Sequence, residues 1–414
     1  MKKLFMSMVL ILPMLIMTNC SSDDDAGVFI PPAETSTTYQ LGSVADPSIS
    51  GTAKFIKNAD NSTTVELQLT GTPAGGMHPA HIHFNTAAEG GDIAITLGTV
   101  DGDTGFSSAT FSGLENGTAV TYDDLLDFDG YINVHLSATE LGTLVAQGDI
   151  GQNELTGETK SYLLGEFEGT GISGSATFSE RVNGEALAVI DLDGTPAGGM
   201  HPAHIHMNTA AETGVVAYTF TPVDGDTGMS VGNLAVLDYG DNDETNDEPI
   251  TYDMLLEYDG YINVHLSGAD LTIVSQGDIG QNELTGESIT YNLNEVDVPS
   301  ISGTVTFSER INGEALAVIS LMNTPLGGMH PAHIHMGSVV TAPGDIAYTF
   351  NSIDGNTGMS VSNVSVLDFG DNDESNDEPI TYNMLLEYDG YVNVHLSDVD
   401  LGTLVAQGNI GSNN

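Results

Sequence analysis

The chain has 414 residues, 40% of them apolar, enough for roughly two to four ordinary domains with folded cores. Its 58 acidic residues against 7 basic ones give a formal net charge of −51, which repels nucleic acid and anionic membrane surfaces and attracts divalent cations. A single cysteine, Cys20, excludes an intrachain disulfide.

The first element is N-terminal. After Met-Lys-Lys comes LFMSMVLILPMLIM, from Leu4 to Met17. It is too short for an ordinary transmembrane helix and right for the apolar region of a signal peptide. Thr18-Asn19-Cys20 follows. This resembles a bacterial lipoprotein signal, with residues 1–19 removed and Cys20 lipidated. SSDDD at 21–25 resembles the acidic tag that sends lipoproteins of Bacteroidota to the outer face of the outer membrane. Residues 20–37 therefore read as a lipid anchor with a flexible acidic spacer, and the localisation expected is the cell surface. A cleaved signal with an incidental Cys20 is the alternative.

The rest is one unit written three times. TYQLGSVADPSISGTAKF at 38–55 matches SYLLGEFEGTGISGSATF at 161–178 and TYNLNEVDVPSISGTVTF at 290–307. The spacing from Tyr39 to His78 recurs from Tyr162 to His201 and from Tyr291 to His330. Three tandem modules follow, at 38–151, 161–280 and 290–411, with near-identical linkers QNELTGETK (152–160) and QNELTGESI (281–289). Within a module, EALAVIDLDG and GYINVHLS alternate as strands do, and Val182-Asn183-Gly184 reads as a turn. TYDDLLDFDG allows one short helix. Glycine is frequent, tryptophan absent. The fold class expected is all-β: three antiparallel, Greek-key-like β-sandwich modules.

GGMHPAHIH occurs at 75–83, 198–206 and 327–335. With one later histidine per module, these segments hold all twelve histidines. Residues two apart on a strand share a face. His81 and His83 thus lie opposite Ala80 and Ile82, and His135 lies opposite Val134 and Leu136. If the two strands are neighbours, His81, His83 and His135 converge, as do His204, His206 and His265, and His333, His335 and His395. Three imidazoles form a ligand set for copper or zinc. The other reading is a polar cluster that fixes loops over the sheet. His78, His201 and His330 have the wrong parity, next to a proline, and read as supporting or structural.

These residues carry a resemblance. AHIH at 80–83, 203–206 and 332–335, YINVH at 131–135 and 261–265, and YVNVH at 391–395 resemble the motifs of the CHRD domain, first described in chordin. Its third motif survives only as Gln-Gly in GTLVAQG (142–148, 402–408) and LTIVSQG (271–277). The H-x-x-H-x-H strand is also similar to the copper strand of Cu/Zn superoxide dismutase, a Greek-key sandwich. That likeness implies copper ligation by His81, His83 and His135. The bridging and zinc ligands of the dismutase have no counterparts, and the first module has no arginine to guide an anion, so dismutase activity is not expected.

The second and third modules carry longer acidic loops. Asp238, Asp241, Asp243, Asp247 and Glu248, and likewise Asp368, Asp371, Asp373, Asp377 and Glu378, offer oxygen ligands for calcium or form a plain solvated loop. DGDTG at 101–105 and 224–228 reads as a turn. The expectation is a non-enzymatic, surface-anchored protein that binds a metal or an extracellular protein or glycan. A copper-dependent redox enzyme and a structural spacer are the alternatives.

Overall fold

The structure is a computed structural model that describes residues 34–240, 245–370 and 375–414. Cys20 and the signal segment, with Asp241, Asp243, Asp371 and Asp373, lie outside the described residues. The protein is all-β, in three repeated strand sets.

The first set holds β1 (Ser36–Ser43), β2 (Ser50–Lys57), β3 (Thr63–Thr70), β4 (Met77–Phe84), β5 (Ile93–Asp101), β6 (Phe106–Phe111), α1 (Tyr122–Leu126), β7 (Asp129–Ser137) and β8 (Glu140–Gly151). The strands pair as a closed ring in the order β1-β2-β3-β6-β5-β4-β7-β8. The third set, Leu284 to Gly411, closes in the same order. In the second set the counterpart of β4 is split at Pro202 into Met200–His201 and Ala203–Met207. The counterpart of β5 is split into Val216–Thr219 and Val223–Asp224. Both halves still pair, Met200 with Asp224 and His204 with Thr219, so the neighbours are unchanged.

Alternation builds the core. Leu67, Ile82, Ile132, Val134 and Val145 point inward in the first module and pack around Tyr39 and Phe55. Most of their neighbours in sequence face out of the barrel, as the period-two pattern predicts, while Val145 and Ala146 both join the core. Thr121 caps α1: its hydroxyl accepts from the Asp124 amide, and the Asp124 carboxylate accepts from the Thr121 amide at 2.8 Å. The expected single short helix is there, and Asp101 organises DGDTG as a turn by accepting from the amides of Asp103 and Thr104.

Where a two-layer sandwich was expected, the sheet runs on from β8 into β1 and leaves no free edge in the first and third modules. Closure rests on two rungs, Gly42 with Gln147 and Ser43 with Ala146. The surviving Gln-Gly motif sits on this seam. Gln147 donates to the Asn133 side chain of β7 at 2.8 Å, and a Cβ on Gly148 would stand 2.1 Å from the Gln40 carbonyl oxygen. The segment 152–160, read as a linker, is also structured: β9 runs Leu155–Glu166 and its first residue pairs with Arg181.

Gly148→Ala forces that seam open. It should destabilise the protein by about 1–3 kcal/mol, the usual cost of inserting a methyl group into filled space. Urea unfolding checks this; an unchanged midpoint would show that the seam does not need glycine.

Candidate metal centres

β4 lies between β5 and β7. Ile82 faces Ile132 inside the barrel, while His81 faces Asn133 and His83 faces Tyr131 outside it. The condition left open by the sequence is met: the two histidine strands are neighbours. In each module three histidines meet: His81, His83 and His135; His204, His206 and His265; His333, His335 and His395. One nitrogen from each lies within 4.8 Å of the others, and among the described residues no other His, Cys, Asp or Glu group is so placed.

Which nitrogens converge is fixed by the backbone. His83 Nδ1 donates to the Gly91 carbonyl at 2.9 Å, and His135 Nδ1 to the Leu141 carbonyl at 2.6 Å. A carbonyl only accepts, so each Nδ1 carries the proton and each Nε2 keeps a bare lone pair. The second module repeats this with Gly214 and Leu271, the third with Gly344 and Leu401. The Nε2 atoms of His83, His206 and His335 are buried without a hydrogen-bond partner, as are Nδ1 of His204 and His333. A buried polar atom left alone is costly, and an ion at the triad would satisfy these nitrogens; Nε2 of His78, His201 and His330 is equally unpartnered but lies outside the triads. His81 Nδ1 and His135 Nε2 stand 3.2 Å apart. That is a hydrogen-bond distance, and it is close to the roughly 3.3–3.4 Å between two imidazole nitrogens across a tetrahedral ion with bonds of about 2.0–2.1 Å. The residues present therefore fit copper or zinc. The loop-fixing reading holds at the same time for two rings of each triad, because His83 and His135 and their counterparts use Nδ1 for the loop and offer Nε2.

A clamp orients His83. Tyr131 stacks on it, with centroids 5.0 Å apart and 20° between planes, and the Tyr131 hydroxyl accepts from the Gly91 amide at 3.2 Å. Gly91 must be glycine, since a Cβ there would stand 2.1 Å from the Phe84 carbonyl oxygen. Tyr261 and Tyr391 hold His206 and His335 alike. His78, His201 and His330 are buried and donate from Nδ1 to the carbonyls of His135, His265 and His395 at 3.3 Å. They support the ligand strand rather than join the triad.

Sequence reasoning missed one carboxylate. Glu115 accepts from the amide of Thr96, the β5 residue opposite His81. Asp238 and Asp368 do the same at Thr219 and Thr349, opposite His204 and His333. The first residues of the acidic loops thus brace the strand beside the triad. Asp238 and Asp368 each also accept from a glycine amide two residues on, at 2.8 Å. Glu248 is taken up by the Tyr239 hydroxyl. The structure does not gather these acids, or Asp247, Asp377 and Glu378, into a set of converging oxygens.

Burial, and then the neighbouring imidazoles, lower the pKa of His81, and lower those of His204 and His333 to about 4. The nearby carboxylates oppose this but do not overcome it. These rings are neutral at pH 7, so no proton competes with a metal there. A cleft of about 400 Å³ near the first junction is lined by residues such as Gln40, Gln147, Leu187 and Val231 and by no histidine.

No family model, no curated protein and no solved structure matches the chain.

The low pKa of His204 and His333 sets a pH dependence. Unfolded histidine titrates near 6.5, so between about 6.5 and 4 only the unfolded state takes up the proton. The metal-free protein should lose stability as pH falls through that window. His204→Gln with His333→Gln should flatten the slope in thermal melts; a slope unchanged by both substitutions would exclude these rings as its source.

Proposed function

We propose that the protein is a non-enzymatic, surface-anchored lipoprotein of three CHRD-like Greek-key modules, each binding one copper or zinc ion. The observation that carries the metal is the convergence of three imidazoles in every module, with at least one buried, unpartnered ring nitrogen in each triad. Three nitrogen donors with no carboxylate or thiolate among them suit copper and zinc and disfavour calcium and magnesium, which want oxygen. The net charge of −51 raises the local cation concentration around such sites. Three linked sites also suit multivalent attachment to an extracellular partner. The strand order, with β3 returning beside β6, supports the Greek-key reading. The sequence of residues 1–25 supports the lipid anchor through Cys20.

A copper-dependent redox enzyme is the second reading, favoured by His81, the most open of the first triad, which leaves one side of the site towards solvent. The two arginines do not serve it, being wholly buried in ion pairs.

Titration of the whole three-module chain should take up three equivalents of copper or zinc. Changing His81, His83 and His135 together to Ala should leave two, and Cu(II) electron paramagnetic resonance should show nitrogen coupling at each site. Uptake that the triple substitution does not change would overturn metal binding at the triads. Superoxide or other redox turnover by the copper-loaded chain would favour the enzyme.

A further inference from the structure

The chain has only two arginines, Arg181 and Arg310, and neither side chain is exposed at all. Each lies at a junction between modules. Arg181 Nη1 donates to Asp149 Oδ2 at 2.7 Å and to the Asn153 carbonyl at 2.6 Å, both at the end of the first module. Its Nε donates to Asn233 Oδ1, and Asn233 in turn donates to Glu185. Arg310 repeats every contact with Asp278, Asn282, Asn363 and Glu314. Backbone bonds flank both clasps: Val182 and Asn183 donate to Glu154 and Gln152, and Ile311 and Asn312 to Glu283 and Gln281. A buried arginine needs such a partner, because an uncompensated charge inside the protein is strongly destabilising.

The junction is directional. One half is an aspartate at the end of a module; the other is an arginine with its Glu and Asn near the start of the next. A head-to-tail contact of this kind repeats without limit unless its ends are altered. Both ends are altered here. In the first module the position of Arg181 is Asn58, whose side chain turns back to Ser62 and Thr64. The positions of Glu185 and Asn233 are Ser62 and Thr110. At the other end, Asp149 and Asp278 become Asn409. Asp149 Oδ1 accepts from Ala87, Asp278 Oδ1 from Ala210, and Asn409 Oδ1 from Val339. The local bond is kept at all three. Only the second oxygen, the one that takes the arginine, is replaced by an NH2 group.

We propose that the arginine–aspartate clasp is a head-to-tail coupling that locks successive modules together, and that Asn58 and Asn409 close the two ends to a further module or a second copy of this chain. Each end would accept only a module carrying the missing half. The coupling does not depend on metal.

The test uses three-module chains. One variant restores the arginine half (Asn58→Arg, Ser62→Glu, Thr110→Asn); another restores the aspartate half (Asn409→Asp). Light scattering after size exclusion should find wild type and each variant alone monomeric. An equimolar mixture should give a one-to-one dimer, and a chain carrying both changes should give assemblies that grow with concentration. In cis, Arg181→Met or Asp149→Asn should speed proteolysis within residues 152–160 at least about tenfold, the effect of breaking a buried pair on the open population. A mixture that stays monomeric with both variants folded by circular dichroism, or wild type joined end to end, would overturn the end closure. Cleavage unchanged in both cis variants would overturn the clasp, and this arm decides the matter if the restored arginine half does not fold.

Discussion

The register of β4 against β7 is the constraint on which the rest depends. With Ile82 opposite Ile132 and Ala80 opposite Val134, the aliphatic side chains fill the barrel. The same register sends His81, His83 and Tyr131 outward together. Because the period of a strand is two, a slip of one residue would drive imidazoles into the core and put isoleucine in water. The core therefore selects the pairing, and the site follows from it. Hydrophobic burial provides the energy, while the histidines ride on a choice already made.

Convergence alone does not make ligands; the lone pairs must face inward. The loops achieve this with carbonyl oxygens, which can only accept. Gly91 and Leu141 each hold a proton on Nδ1 and so leave Nε2 bare. The stacked tyrosine closes the arrangement by taking the amide of the same glycine whose carbonyl holds the histidine. A loop outside the ligand strands thus decides the tautomer. His78 adds a further tie, from its own ring to the backbone of His135.

Strand parity made the triads legible in sequence, since one rule places His81, His83 and His135 on one face. The repeat made the modules legible. Barrel closure was not, because it rests on two rungs between residues about a hundred positions apart, with Gly148 as its only local trace. The tautomer locks were hidden for a related reason: the carbonyls of Gly91 and Leu141 belong to backbone that any residue supplies. Asp238 and Asp368 were legible as acids but not in their role, since a carboxylate that braces backbone amides looks in sequence like one awaiting a cation.

Comparing the three copies with one another separates two kinds of demand. The triad, its tyrosine and the glycine behind it are the same in all three, because each barrel must satisfy the same local geometry. The junction residues differ at the outer face of the first copy and at the outer face of the third. Asn58 and Asn409 are not loosened positions, since each keeps its internal hydrogen bonds. What each lacks is the one group that would need a partner outside the chain. An arginine at position 58 would have no carboxylate to meet, and an aspartate at 409 would present a carboxylate oxygen with no guanidinium. A neutral amide at each position, the size of aspartate at 409 and much shorter than arginine at 58, removes the unmet charge while local hydrogen bonds hold the side chain. The chain's internal charges are thus placed where a neighbour answers them.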